Sequence, residues 1–594
     1  MALAVAAIPE SLPVVVTLAL AFGTRRMLER KSLVRSLPVV EIIGGAQVIC
    51  TDKTGTITEG KMSHRILYWR GLSLEITGGA SDTTGEFLNG GTATDQSENL
   101  ALLAGGLCNN SRLDPEMGFQ GDPTEVSLLV AAYKAKVNLS AYKWVHEIPF
   151  SSLRKMMSVV VERDSQRFVF SKGAPETLVE RCTHIYTVAG ISPLSAEDKN
   201  HIMEQNSVFA SRGLRVLAIA YKENPPASDD NAEHGLVFLA LAGLSDPPRK
   251  EVRPAIETAR RAGIRVIMIT GDNQMTAKAI ANEVGLTGEC MEGRQLDGLG
   301  EAELQDVVQR VNIFARSEPT HKQRILKALQ DRGQIVVMTG DGVNDAPALK
   351  AADAGIAMGI RGTDVARDAS DMILLDDNFA TIVAAVEEGR RTYANVKKFV
   401  NYLLSGNLAE VLVVMVGAIA GYLPITAVQI LWVNLVTDSG PAVALGVDPA
   451  PPGAMTQPPQ RRNILSKAML GSIAATSLVI SAVILGTFAL GLRFFDMDKA
   501  RTMVFTAFVA QEFMRLWFIR HQGHLSALSN RWLLLAVTGA IISQIALIYT
   551  PVGRYFQVIP LGWLEWLIIL SGVIITFIIT PQVTRMVAKW SGNV

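Results

Sequence analysis

The chain has 594 residues, a formal net charge of +0 and 49% hydrophobic residues. That is long enough for several domains, and it lacks the cationic excess that would hold a nucleic acid by bulk electrostatics. Four scattered cysteines, Cys50, Cys108, Cys182 and Cys290, form no CxxC pair, which argues against a disulfide framework or a thiolate metal site and for reduced thiols on a cytosolic side.

Residues 1–22 are apolar, lack a basic leader and are interrupted by Pro9 and Glu10. They read as a broken transmembrane helix and not as a secretory signal. Arg25, Arg26, Arg30, Lys31 and Arg35 follow, a basic flank that puts the next region in the cytoplasm. Within residues 23–61, the run 46–50 reads as a buried strand that delivers Asp52 to a polar loop at its carboxyl end. Residues 62–240 turn globular, with strand-like runs at 158–161 and 167–170, and look like a separate inserted domain. Residues 241–375 resume an α/β pattern. A strand near 264–269 ends in Thr270-Gly271-Asp272-Asn273, and one near 334–338 ends in Thr339-Gly340-Asp341-Gly342-Val343-Asn344-Asp345. In a parallel doubly wound sheet the three Asp-bearing loops meet at one edge, as an anionic, metal-dependent site. Residues 376–398 read as a polar helical stalk. Within 399–594, apolar segments at 399–421, 426–446, 468–491, 502–519, 532–551 and 560–580 bring the expected spans to seven. There is no short repeat and no low-complexity tract.

Two groups of residues carry chemistry. At Asp52 a carboxylate can attack phosphorus and form an acyl phosphate, with Lys53, Thr54, Gly55 and Thr56 supplying charge, hydroxyls and close N–H groups. Asp341 is the expected Mg²⁺ ligand, since Mg²⁺ takes a few carboxylates plus phosphate and water oxygens. The second group lies in the apolar helices, where ionisable residues mark function: Glu10, Glu410, Asp438 and Glu512. Pro9 offers no N–H, so the carbonyl of Val5 loses its helical partner, and Pro441 does the same to Thr437. Asn407 and Glu410 share one helix face, as do Asn434, Thr437 and Asp438. These are hard oxygen donors, suited to Ca²⁺ or a similar ion.

The string Asp52-Lys53-Thr54-Gly55-Thr56 resembles the phosphorylation signature of P-type cation-transporting ATPases, and the three-loop arrangement resembles the haloacid-dehalogenase type of phosphotransfer domain. The resemblance implies further roles. The Thr54 carbonyl joins Asp52 and Asp341 on Mg²⁺, Lys322 neutralises the transferred phosphate, Thr270, Gly271 and Asp272 contact it, and Asn344 and Asp345 complete the third loop. In the inserted domain, Lys172-Gly173-Ala174-Pro175-Glu176 resembles the nucleotide-domain signature, with Lys172 lining an adenosine pocket and Phe150 stacking on adenine. Glu125, Lys155 and Arg215 match further nucleotide contacts. The stretch 82–86 only superficially resembles a dephosphorylation loop and reads as a surface turn.

The segments 6–10, 407–410 and 432–438, with Glu512, resemble the fourth, fifth, sixth and eighth helices of Ca²⁺ pumps of the sarcoplasmic-reticulum type. By this match the Val5, Ala6 and Ile8 carbonyls with Glu10, Asn434 and Asp438 form one cation site. Asn407, Glu410, Thr437 and Glu512 form a second, and Arg515, one turn beyond Glu512, is close enough to replace a cation there. The expected fold is a multidomain membrane protein: a helical transmembrane bundle, a haloacid-dehalogenase-like α/β phosphorylation domain and an inserted α+β nucleotide-binding domain. The expected function is ATP-driven cation transport, with Mg²⁺, ATP, a cation such as Ca²⁺ and a lipid bilayer as partners, and with cytoplasmic catalytic domains. A Na⁺, K⁺ or H⁺ pump, a membrane-tethered phosphatase and an inactive regulatory subunit are the rival readings. The family's three preceding helices and actuator domain are not in this sequence, so a fragment slow to hydrolyse its acyl phosphate is expected.

Overall fold

The computed structural model describes residues 2–8, 11–151, 153–225, 232–459 and 465–590, the side chains of 588–590 excepted. Pro9 and Glu10, the expected helix break and cation ligand, lie outside the described residues.

The sheet that carries Asp52 has eight strands in the order Ser32–Val34, Met372–Leu374, Ala354–Met358, Val336–Gly340, Val48–Thr51, Arg265–Ile269, Val311–Ala315 and Glu289–Glu292. All neighbours run parallel except Ser32–Val34, which is antiparallel to Met372–Leu374. The Val48–Thr51 strand is central and wholly buried. Its side chains alternate between two cores, as a period of two demands. Ile49 joins Val266, Met268 and Val337 on one face, while Val48 and Cys50 join Ile267, Ile269 and Met338 on the other. Burial on both faces is why this strand reads as an unbroken apolar run.

Between Thr58 and Pro248, which bridge each other, the chain builds a second sheet of eleven strands. It is antiparallel apart from the pairing of Cys182–Thr187 with Leu236–Ser245. Both crossings into this sheet lie side by side, since Ser63–Trp69 pairs with Leu236–Ser245 and Ser63 sits opposite Ser245. The expected boundary at residue 240 is therefore five residues early: Leu241 to Ser245 finish the last strand of the second sheet. The strand runs on through Gly243 to the Asp246-Pro247-Pro248 turn, because Leu241, Ala242 and Leu244 are core residues of the strand.

The first apolar stretch forms two helices, Ala2–Ala6 and Leu12–Glu29. The second runs seven residues past the expected end at Phe22. It continues because Arg26 and Arg30 are drawn onto Glu388 and Glu387 of a neighbouring helix, with N–O distances of 2.9 and 2.6 Å. That neighbour, Phe379–Ile419, is one continuous helix of 41 residues, so the expected stalk and the following span are a single rod. Four described helices are long and apolar enough to cross a membrane: Phe379–Ile419, Lys467–Phe494, Arg531–Tyr549 and the stretch Trp563–Val587. The segment expected at 426–446 is instead Ala427–Trp432, a π-helical turn Val433–Asp438, and Ser439–Gly446. Met497–Gln522 is long enough but buries Glu512, Arg515 and Arg520 along its length.

The rod is fixed to the eight-stranded sheet's domain by close packing. Gly44, ending the helix Val39–Gly44, meets Gly389 so tightly that a Cβ on Gly44 would lie 2.5 Å from the Gly389 carbonyl carbon. Beside it the Arg390 guanidinium donates to the carbonyls of Ala262, Ala454 and Gln457 at 2.7–2.9 Å. One side chain thus ties the rod to the domain of the eight-stranded sheet and to the loop after the helix Ser439–Gly446.

Candidate functional site

The central strand ends by presenting Asp52, whose N–H donates to Thr339 Oγ1 at 3.2 Å and whose carboxylate accepts from the Thr54 amide at 3.4 Å. Gly55 adopts φ 77° in the tight turn that follows, a left-handed conformation that glycine takes without strain. Lys322 lies in the helix Pro319–Asp331, and its ammonium donates to Asp52 Oδ2 at 2.7 Å and to Asp345 Oδ1 at 2.8 Å. The other Asp345 oxygen accepts the amides of Asp341 and Gly342 at 3.1 and 3.0 Å. Burial alone would lower the Lys322 pKa, but the charges of Asp52 and Asp345 more than reverse this and raise it. The ammonium therefore stays protonated throughout the physiological range.

The three expected loops do meet at the carboxyl edge of the sheet. Lys53 forms an ion pair with Asp272. The Thr270 hydroxyl accepts the Asp272 amide at 3.2 Å, and a Cβ on Gly271 would meet nothing within 4 Å, leaving room for a ligand. Asn344 is exposed on the rim. Burial and then the charges of Asp52 and Asp345 raise the Asp341 pKa. Asp52, Asp341 and Asp345 face Lys322 and, at Asp341, the Arg361 guanidinium, so three carboxylates outnumber two cations and the excess negative charge fits a divalent cation. Among the described residues no three carboxylate, His or Cys groups converge as a self-sufficient metal cage.

Several residues that hold this loop carried no legible signal. The Thr58 hydroxyl donates to Asp246 at 2.5 Å and the Lys61 amide does so at 3.2 Å. Arg249 donates to the carbonyls of Gly55 and Thr58 at 3.0 and 3.2 Å. Asp377 accepts the amides of Gly359, Ile360 and Arg361 at 2.7–3.0 Å. Asp246 and Arg249 stand in an obvious Asp-Pro-Pro-Arg turn, yet their partners lie some 190 residues away. Cys50, two residues before Asp52, is held as the thiol: burial pushes its pKa up to about 12.

In the second sheet, Lys172 is buried and its ammonium donates to Glu125 Oε1 at 2.7 Å and the Cys108 carbonyl at 2.6 Å. Glu125 sits in the first turn of Pro123–Lys134, capped by Asp122. Arg215 donates to the Thr124 hydroxyl at 3.2 Å, so Lys172, Glu125 and Arg215 come together around one helix start. Phe150 lies beside a bulge opposite Met157, which pairs with Lys172. Its ring is 63% exposed, an unusual state for Phe that offers a free face. Lys155, at φ 51°, is exposed and pairs loosely with Glu176 at 4.0 Å. Gly173 has a packing reason of its own, since a Cβ there would lie 2.6 Å from Met156 Cβ.

In the helical bundle, Asn407, Glu410, Asn434, Thr437 and Asp438 are all buried. Tyr402 donates to Asp438 at 3.1 Å, and the Glu410 and Glu512 charges act on Asp438. Asn434 and Asp438 sit on the π-helical turn, a feature that clusters at functional sites. Two expectations need correction. The Val5 carbonyl is not left free, because it accepts the Ile8 amide at 3.3 Å in a tightened turn, and the Ala6 carbonyl accepts from Asn407 at 3.3 Å. Each oxygen keeps a second lone pair. Glu512 is not an open ligand: Arg515 donates to both its oxygens at 3.0 and 3.1 Å. Arg515 also bonds the Asn401 and Tyr402 carbonyls and the Ser405 hydroxyl. A buried carboxylate needs such a partner, and Gly406 lets it approach, since a Cβ there would lie 2.5 Å from Glu512 Oε1.

Comparison with known proteins fits this geometry. A family model for the P-type ATPase cytoplasmic domain N matches residues 99–251, and one for the cation-transporting ATPase C-terminus matches 422–586. The chain belongs to the P-type cation-transporting ATPases, enzymes that hydrolyse ATP and couple it to ion movement. Similar proteins carry more particular names. A "Calcium-transporting ATPase" of Bacillus subtilis is 40% identical over 96% of this chain and 67% of its own length. The "Cation-transporting ATPase pma1" of Synechocystis is 39% identical over 96% and 67%. The human "Calcium-transporting ATPase type 2C member 1" is 37% identical over 99% and 65%. This chain spans about two thirds of the length of these relatives.

Proposed function

We propose that the chain performs ATP-driven Ca²⁺ transport through an aspartyl phosphate on Asp52. The observation that carries this reading is the Asp52–Lys322–Asp345 bridge at the meeting of three strand-end loops. An Asp52 oxygen attacks the γ-phosphorus in line, a new C–O–P link forms, and the bond to the β-phosphate oxygen breaks as ADP leaves. Lys322 stabilises the equatorial oxygens, and Thr270, Gly271 and Asp272 flank them. Mg²⁺, on Asp52, Asp341 and the Thr54 carbonyl, would supply further charge neutralisation. The haloacid-dehalogenase-like assignment of this domain rests on the same loops.

The inserted domain takes the nucleotide in this reading. Phe150 offers its exposed face to adenine, with Lys172, Gly173, Glu125, Lys155 and Arg215 around the pocket. The helices form seven spans with the catalytic domains in the cytoplasm. Asn434, Asp438, Glu10 and the carbonyls of Val5, Ala6 and Ile8 hold one Ca²⁺. Arg515 occupies the cationic position beside Glu512, Asn407, Glu410 and Thr437, so one ion moves per cycle.

The test is acid-stable labelling of the full chain from γ-labelled ATP with Ca²⁺, Na⁺ or K⁺ present. Label should appear with Ca²⁺ and vanish in Asp52→Asn. Label that persists in Asp52→Asn rejects the nucleophile, and label indifferent to every ion favours a tethered phosphatase.

A further inference from the structure

Neither the phosphotransfer site nor the cation site uses a cavity of about 580 Å³ at one end of the helical bundle, between Met497–Gln522 and Trp563–Trp590. That end faces the catalytic domains. Arg520 in its wall bonds Asp448, which also pairs with Lys398 of the long rod, and the rod's first turns pack on the phosphotransfer domain. Given the proposed membrane reading, on which this inference rests, the cavity opens at the cytoplasmic interface.

Its chemistry is divided. Trp517, Phe518 and Phe577 supply an aromatic wall, while Arg585, His521 and His524 supply nitrogen donors, and among the described residues no Asp or Glu lines it. Arg520 is already satisfied by Asp448, the Ala527 carbonyl and the Ser529 hydroxyl. Arg585 is exposed, and no ion pair to it is found among the described residues. A cationic group with no counter-ion among the described residues therefore stands over an apolar floor.

The cavity also continues in one direction. Ile574, Phe577, Ile578, Pro581 and Arg585 follow one another at helical spacing along a single face. Ile574, Phe577 and Ile578 are 58%, 56% and 55% exposed, so this stripe points away from the protein core. Eleven residues of helix rise about 16 Å, close to the ~15 Å depth of one leaflet's hydrocarbon. Inorganic phosphate or a soluble nucleotide would use the cation and ignore the stripe. A molecule with an anionic head and an acyl chain uses both.

We propose that this cavity binds the headgroup of an anionic phospholipid, with phosphate on Arg585 and an acyl chain along Pro581, Phe577 and Ile574. Basic pockets between helices at the cytoplasmic face suit such lipids. The experiment is thermal unfolding of the purified full chain in detergent, with added phosphatidylglycerol, phosphatidylcholine or inorganic phosphate. Phosphatidylglycerol should raise the Tm by a few degrees, phosphatidylcholine should raise it much less, and inorganic phosphate should not. Arg585→Gln should lose at least half of the rise, and Arg585→Lys should keep most of it. Equal effects of the two lipids, or a full rise in Arg585→Gln, would overturn the proposal, and an equal rise with inorganic phosphate would replace the lipid by a simple anion. Label at Asp52 is read separately, so a normal phosphoenzyme without lipid selectivity sinks this inference alone.

Discussion

Lys322 holds two carboxylates at once, and what it contributes depends on both. Without its ammonium, Asp52 and Asp345 would face each other and Asp341 with no cation between them. Lys322→Met should lower the rate of phosphoenzyme formation by about 10²–10³-fold, the size expected for loss of one preorganised charge at a reacting centre. Rapid-quench labelling measures this, and a change under threefold would remove Lys322 from the reaction. His64 makes a different prediction. Burial drives its pKa down to about 3, so the folded chain keeps it neutral while the unfolded chain protonates near 6.5. The unfolded state then binds more protons between those values. The His64 contribution is fully present above pH 6.5 and is lost as pH falls towards 3. Between pH 6.5 and 5 this is about 2 kcal/mol at most. The Tm of native chain should therefore fall more steeply over that interval than the Tm of His64→Met, and parallel slopes would contradict the assignment.

At the scale of elements, one buried carboxylate holds the long rod to its neighbouring helices. Asp448, just past the helix Ser439–Gly446, accepts from Lys398 at 2.9 Å, Arg520 at 3.2 Å and Asn530 at 2.9 Å. Its carbonyl accepts from Asn395 and Arg391, both at 2.9 Å. Three helices and the loop after Ser439–Gly446 thus share one charge. Asp448→Ala leaves two buried cations unpaired and should destabilise the chain by about 3–5 kcal/mol. Lys398→Met should cost less, because Arg520 and Asn530 still satisfy the carboxylate. Thermal inactivation of the two variants checks the order, and equal losses would show that the site is not a charge hub. None of this was legible in the sequence. Lys398 reads as the end of a polar stalk, and its charged partner Asp448 sits 50 residues away. The π-helical turn is equally silent, although Asn434, Thr437 and Asp438 pointed to the right helix.

For the molecule as a whole, legibility followed locality. Asp52, Asp272 and Asp341 were readable because each closes a short apolar strand with turn residues, and parallel topology then carries all three to one edge. The bridging role of Asp345 was not, because it depends on Lys322 arriving from another helix. The unbroken rod Phe379–Ile419 was missed for the converse reason, since a continuous helical run carries no mark where one part gives way to another; the seam at Ser245 was placed five residues early although the Asp246-Pro247-Pro248 turn follows it. The rod joins the two sites, with Asn407 and Glu410 on it at one end and Gly389 locked to Gly44 at the other. Occupancy of the buried acids should therefore reach Asp52 through it. The most direct measurement is acid-stable label from γ-labelled ATP as Ca²⁺ is titrated, in native chain and in Asp438→Asn. Label should rise with Ca²⁺ in the native chain and need at least tenfold more Ca²⁺ in the variant. An unchanged Ca²⁺ dependence in Asp438→Asn would contradict coupling between the lipid-embedded acids and the nucleophile.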